Sequence, residues 1–568
     1  MKKTVLLLAA LALGGAALAQ PKVFQGPDPD ATPKMGGDFR VNSISDPKTF
    51  NPFVAKETSS TNVIDLFLPS LTGYNPYTIE PDGMLAESFE VKNNGLTIVF
   101  RLRKDAKWSD GTPITADDVI FSAQVHADEE VNSNSRSSFF IDGSPVIWTK
   151  IDDYTVQADF PKPFAPALLQ GWSIVPKHIF EPAYKEGRVT ELWDVGTDPS
   201  EIVSGGPFML EQFVPGERIV LKRNPNYWGV DPEGRAVPYL DRYIFTVVPD
   251  LNASLAKFLA GETDIYTASD ADQVAQIIER IDSGRLDAEI FPNADVNFGT
   301  NFIFFNWNNE DPWKAQLFRN KKFRQAMAHL MDKESMIELA LGGLGQPQWS
   351  PISIPAKQFF TDDVPKFEFN PERAAELLAE IGFRTKNEDG WLVDASGRVL
   401  EFTLFTNQGN NVREKIAQIF AEDARAIGVK VNFTPIDFNE LVRKILNTRD
   451  FDAILVGLTD GIEPAFSRNV WELDGALHMW NYGPEFESFE ILIDKLMKQG
   501  ATTLDQEKRR EIYVQFQKVV AENLPLIYTV AGAYNPARLK RLGGVFGEED
   551  LNSFVGQFPY IETVFIDQ

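Results

Sequence analysis

The chain has 568 residues, 43% of them hydrophobic, and a formal net charge of -26 at pH 7. At ~150 residues per domain this length calls for two or three domains, and the acidity argues against nucleic acid as a partner because phosphates repel it. There is no cysteine, so neither a disulfide nor a lipid-attachment site exists.

Met1 to Gln20 begins with Lys2-Lys3, continues in an apolar core from Val5 to Leu13 and ends in Ala17-Leu18-Ala19. That is an export signal cut near Ala19/Gln20, its core too short to span a membrane. Cleavage removes two lysines and takes the net charge from -26 to -28. A lipid-free exported protein that stays near the cell implies a soluble periplasmic location. Gln20 to Lys34 reads as a flexible leader, and Gly37 to Val41 as the first strand. In Leu96 to Arg103, the residues Leu96, Ile98, Phe100 and Leu102 share one face of a half-buried strand. A turn at Trp108 to Pro113 follows. Thr115 then caps a helix whose positive end carries Asp117 and Asp118.

Lys222 to Trp228 is a strand end and a turn, with Tyr227 and Trp228 packing a seam between domains. Leu341 to Gly345 is glycine-rich but lacks the lysine of a phosphate loop, and reads as a loop. Asn370 and Pro371 start a helix with the stripe Ala374, Leu377, Leu378 and Ile381, ended by Gly382. Leu400 to Phe405, Val412 to Ala426, Val429 to Phe433, Phe438 to Leu446 and Phe451 to Gly457 alternate strand, helix, strand, helix, strand. Right-handed crossovers make these strands parallel neighbours, and ligands of open α/β sheets sit beyond the carboxyl ends. Asp460 falls at that edge, with Gly457 and Thr459 beside it. The loop after it carries Trp471, His478, Trp480 and Tyr482, read as a wall of a ligand cleft. Trp307, after the apolar run Phe302 to Phe305, is a further aromatic candidate. Gln506 to Ala521 is helical and Leu526 to Val530 is a returning strand. The histidines His126, His178, His329 and His478 show no metal-ligand spacing, and no cofactor motif is present. A carboxylate pair of a secreted hydrolase stays open, since spacing along a chain does not report separation in space.

Leu85 to Phe89, the strand with Arg101-Leu102-Arg103, Trp108-Ser109-Asp110-Gly111-Thr112-Pro113 and Thr115-Ala116-Asp117-Asp118-Val119 together resemble the signature of the dipeptide- and oligopeptide-binding proteins of ABC importers, extracytoplasmic solute-binding protein family 5. Gly205 to Phe208, Lys222 to Trp228, Leu259 to Asp264, Phe323 to Ala326 and Met331 to Lys333 extend the resemblance over essentially the whole mature chain. It implies an α/β, bilobal periplasmic-binding-protein fold of class II (cluster C) with an extra inserted domain. On this chain domain I would be 20–75, 200–295 and 527–568, domain II 76–199, and domain III 296–526. The implied role is capture of a peptide, without reaction, for the transmembrane subunits of an ABC permease, by a monomer. Relatives that bind oligosaccharides or other small solutes make that the alternative ligand class. In the peptide binders an aspartate four residues before a proline grips the ligand's α-amino group. Asp460 stands four residues before Pro464, although Thr459-Asp460-Gly461-Ile462-Glu463-Pro464 departs from the family's usual Gly-Asp-Asn-Gly-Asp-Pro.

Overall fold

The computed structural model describes residues 22–459 and 461–567. The export signal read in Met1 to Gln20 and the candidate Asp460 lie outside the described residues.

Strands Asp38–Ser43, Arg242–Val247, Arg218–Arg223 and Phe208–Val214 form one sheet in that spatial order, the first pair parallel and the others antiparallel. Phe39 and Val41 point inward from the first strand and Tyr243 and Phe245 from the second, as the two-residue period dictates. An antiparallel sheet follows in the order Ala86–Lys92, Thr97–Leu102, Thr155–Asp159, Ile147–Asp152. Here the half-buried reading of the second strand needs correction. Ile98, Phe100 and Leu102 are buried, but so are Thr97 and Val99, while Leu96 precedes the strand and is 38% exposed. The strand has a neighbour on each edge and is covered on both faces, so alternation is lost.

Helix Ala116–Ala127 starts in a capping box, in which the Thr115 N–H donates to Asp118 Oδ2 at 2.8 Å. Asp117 pairs with Lys150 at 2.8 Å. Both sheets drain into one hydrophobic cluster, so they make a single large lobe. Tyr227 and Trp228 belong to that cluster. The Tyr227 hydroxyl donates to Glu562 at 2.8 Å, and the Arg103 guanidinium lies 5.0 Å from the Trp228 ring centre.

The second lobe is built on Lys430–Ile436, Glu401–Asn407, Ala453–Leu458, Thr300–Phe305 and Ile527–Tyr528, in that order. The first three are parallel and the last two antiparallel to their neighbours. Helices Asn411–Ile427 and Phe438–Arg443 make the crossovers, the second opening into a π-turn over Lys444–Thr448. Helix Pro371–Glu380 begins as its sequence indicates: the Asn370 side chain accepts from the Arg373 N–H at 2.9 Å, and Ala374, Leu377 and Leu378 are buried. This lobe has its own hydrophobic cluster.

Strand Val530–Leu539 joins the lobes. Its start pairs with Gly345–Pro347 of the second lobe and its end with Ile265–Ala268 and Ala288–Ile290, which the Arg40 N–H to Asp264 bond of 2.7 Å ties to the first. Between them Asp295–Val296 pairs with Ala533 and Tyr534. Two crossing segments, side by side and held by main-chain bonds, form the junction.

Candidate functional site

The carboxyl ends of the parallel strands face the large lobe across a cavity of about 580 Å³, within the 300–1,000 Å³ expected of a small-molecule pocket. The first lobe supplies Ile44, Lys56, Glu57, Thr58, Thr61 and Asn134. Asn297 to Asn301, Ala531 and Gly532 supply the junction wall, and Arg413, Phe438, Gly457 to Thr459, Phe466 and Met479 are among the second lobe's contributions. Gly299, Gly457 and Gly532 line the wall without side chains of their own, and at Gly457 the space a Cβ would take is filled by Arg413 and Asn301.

The lobes touch around this chamber. Arg468, in helix Arg468–Trp471, is 1% exposed. Its guanidinium donates to the carbonyl oxygens of Ser137 and Phe140 on the large lobe, packs 5.6 Å from the Phe164 ring centre and pairs with its own Glu472 at 2.5 Å. The Asn469 amide donates to Asn134 Oδ1 at 2.7 Å, Arg136 pairs with Asp474 at 3.1 Å, and Lys48 Nζ donates to the Asn439 carbonyl at 2.9 Å. Desolvation lowers the pKa of Lys48, with Glu57 opposing it.

Of the residues singled out in sequence, Gly457 and Thr459 line the chamber. The aromatic candidates do not, and this corrects the cleft-wall reading. Trp307 and Trp480 are fully buried and Trp471 nearly so, all in the second lobe's hydrophobic cluster. The Trp480 Nε1–H donates to Glu490 Oε1 at 2.8 Å, the Trp471 ring lies 5.4 Å away, and the Arg324 guanidinium sits 4.3 Å above Trp307. Leu477 and Met479 reach the chamber wall while packing against the second lobe's cluster, and Trp480 lies wholly inside that cluster with the buried His478 ring 4.1 Å from it. Tyr482 stands behind the wall, its hydroxyl donating to the carbonyl of the lining residue Ile445 at 3.1 Å, with Arg449 3.7 Å over its ring.

Sequence reasoning missed the charged lining. Arg413 lies in the first turn of helix Asn411–Ile427, directly beyond the carboxyl end of Glu401–Asn407. The rule that ligands gather past carboxyl strand ends could have found it. Its Nε donates to Asn301 Oδ1 at 3.0 Å and its Nη1 to Asn407 Oδ1 at 2.9 Å. Desolvation pushes its pKa down to about 10. Lys56 is lowered by desolvation first and by the Arg449 charge second. The buried Glu57 accepts from the Ser60 hydroxyl and from the Lys48 and Lys56 N–H groups at 3.4 and 3.3 Å.

Among the described residues, no cluster of three or more His, Cys, Asp or Glu could hold a metal ion. His126 bonds Ser133, His178 bonds Asp110, His329 the Glu368 carbonyl and His478 the Val470 carbonyl. Among the described residues, no helix is long and apolar enough to cross a membrane.

Residues 80–473 match the family model described as bacterial extracellular solute-binding proteins, family 5 Middle. A probable ABC transporter-binding protein of Deinococcus radiodurans is 38% identical over 97% of each chain. The oligopeptide-binding protein AppA of Bacillus subtilis, solved in complex with a nonapeptide, superposes with a TM-score of 0.80 at 27% identity, over 94% of this chain and 100% of that one. The periplasmic binding protein MelB of Agrobacterium fabrum, solved with stachyose, is alike in fold, with a TM-score of 0.82 at 22% identity over 96% of this chain and 87% of that one. Bilobal architecture, a chamber between lobes and a family match over most of the chain agree: this protein belongs to the bacterial extracellular solute-binding proteins of family 5.

Proposed function

We propose that this protein captures a peptide between its lobes in the periplasm and delivers it to the membrane subunits of an ABC importer, performing no reaction on it. The observation that carries the reading is the interlobe chamber of about 580 Å³, lined by both lobes and by the junction between them. A cleft of that size can enclose a short extended peptide. The likeness to a nonapeptide-bound oligopeptide-binding protein supports it. A ligand that touches both lobes stabilises their closed arrangement, and that shape is what a permease can read.

In this reading Asp460, the residue after the lining Thr459, seats the ligand's α-ammonium. Calorimetry with short peptides tests it. Asp460→Asn weakens binding roughly 10- to 1,000-fold, and N-acetylated peptides bind the wild type equally poorly. Intact affinity in both cases removes Asp460 from the site. The fold likeness to a stachyose-bound protein favours an oligosaccharide as the second reading. Native mass spectrometry of protein from its own cells separates the two by the mass of what comes with it. The same spectrum should show a monomer beginning at Gln20 without lipid. A retained Met1 to Ala19 would overturn the exported, periplasmic part of the reading.

A further inference from the structure

We infer that Asp65 is a seat for a positively charged ligand group, an ammonium or a guanidinium, where the chamber runs along the large lobe; this rests on reading the chamber as a peptide site. Helix Thr58–Phe67 turns Ser59, Ser60, Val63, Ile64 and Phe67 into the core. Its opposite face bears Thr58, Thr61 and Asp65, and the first two line the chamber. Residues three or four apart share a helix face, so Asp65 continues that line one turn beyond Thr61, about 6 Å along the axis. Asp65 is exposed. Its carboxylate has neither a hydrogen bond nor an ion pair among the described residues.

Two costs fall on this carboxylate, and nothing described within the protein offsets them. Desolvation alone pushes its pKa up to about 6. A carboxylate on a convex surface keeps its water and its ordinary range, so one that is open to solvent yet desolvated stands in a concavity. It also occupies the last turn of its helix, where the carbonyl ends disfavour a negative charge. Lys48, Lys56 and Glu57 lie by the first turn of that helix and Glu211 on the strand packed against it, and none of them shifts Asp65. The helix itself gains nothing from a carboxylate at this point. A ligand cation arriving there meets an unmatched charge in surroundings poor in water, where charge-assisted bonds are strong.

The test is a calorimetric binding cycle on wild type, Asp65→Asn and Asp65→Glu, with Lys-Ala-Ala, Ala-Lys-Ala and Ala-Ala-Lys against the same peptides carrying norleucine for lysine. Norleucine keeps an unbranched side chain and drops the charge. At about pH 7.5 wild type should prefer lysine to norleucine at one position by about tenfold. That ratio should fall toward one at about pH 5, as Asp65 takes up a proton. In Asp65→Asn it should be near one at both pH values, and in Asp65→Glu it should return in part. Trialanine and its N-acetyl form identify the source of the cation. A lysine preference lost in Asp65→Asn assigns a side-chain cation; no lysine preference, with an acetylation penalty that is lost in Asp65→Asn, assigns the ligand's α-ammonium. A lysine preference that survives in Asp65→Asn overturns the inference, as does the lack of any preference beside an acetylation penalty that is absent or unchanged. Thermal midpoints of the ligand-free variants separate misfolding from lost recognition, and the glutamate variant keeps the charge if asparagine unfolds the protein. If no peptide binds the wild type, the peptide reading falls and the cycle is repeated with a neutral oligosaccharide and its aminoethyl glycoside. A preference for the amine that is lost in Asp65→Asn then keeps the cation seat. No preference, or no binding, overturns the cation seat as well.

Discussion

His126 shows how a single enclosed side chain ties stability to pH. Its ring stacks 4.8 Å from Phe139 at 8° and lies 4.6 Å from Phe53, and Nδ1 is 2.7 Å from the Ser133 hydroxyl. Burial pushes its pKa down to about 3. The unfolded chain binds this proton near pH 6.5 and the folded one does not, so between pH 6.5 and about 3 unfolding takes up a proton. Stability therefore falls as pH drops through that window, by at most about 1.4 kcal/mol per pH unit. Thermal midpoints of wild type should decline more steeply from pH 6 to pH 4 than those of His126→Gln, and parallel profiles would show that the ring protonates in place. Trp480 makes a second prediction at this scale. Its indole is fully buried and bonded to Glu490, so Trp480→Ala should lower unfolding free energy by roughly 3–5 kcal/mol. Peptide affinity of the folded fraction should be retained; a selective loss of affinity would return the ring to the ligand site.

Helix Arg468–Trp471 is an element whose work lies between lobes. Its arginine is almost wholly covered, and both of its carbonyl acceptors belong to the other lobe, so opening the chamber breaks those two bonds and exposes the Arg468–Glu472 pair to water. Removing one partner of such a pair costs about 3–5 kcal/mol, whereas replacing both by apolar groups can be nearly neutral. Arg468→Met with Glu472→Met should preserve the fold while weakening closure. Because ligand affinity scales with the closed fraction, surface plasmon resonance should show faster peptide dissociation with little change in association. Unchanged dissociation would mean that this seam does not set the open-closed balance.

For the whole molecule, the two crossing segments at the junction give a bilobal chain a place to bend. We keep the division into 20–75, 200–295 and 527–568, then 76–199, then 296–526, as a proposal for the domains that move. Small-angle scattering should show a larger radius of gyration without ligand than with saturating peptide, and the closure can run in microseconds to milliseconds. A profile that ligand does not alter would describe a rigid binder.

Order along the chain was enough to read the architecture. Strand and helix alternation from Leu400 to Gly457 predicts parallel neighbours, and Glu401–Asn407 pairs in parallel with both Lys430–Ile436 and Ala453–Leu458. Caps such as Thr115 and Asn370 were legible because their bonds join residues three apart, a distance the sequence itself sets. The long motif run identified the family for the same reason. What only tertiary structure decided is which face of each segment meets the ligand. Trp307, Trp471 and Trp480 look like binding aromatics in a line of letters, but helices and strands far away in sequence close over them. Arg413 looks like an ordinary polar residue in a helix, and becomes a lining cation only when Asn301, 112 positions away, comes into contact with it. Burial and solvent access are properties of the assembled surface, so a local pattern can name the elements of this protein while leaving the walls of its chamber to packing.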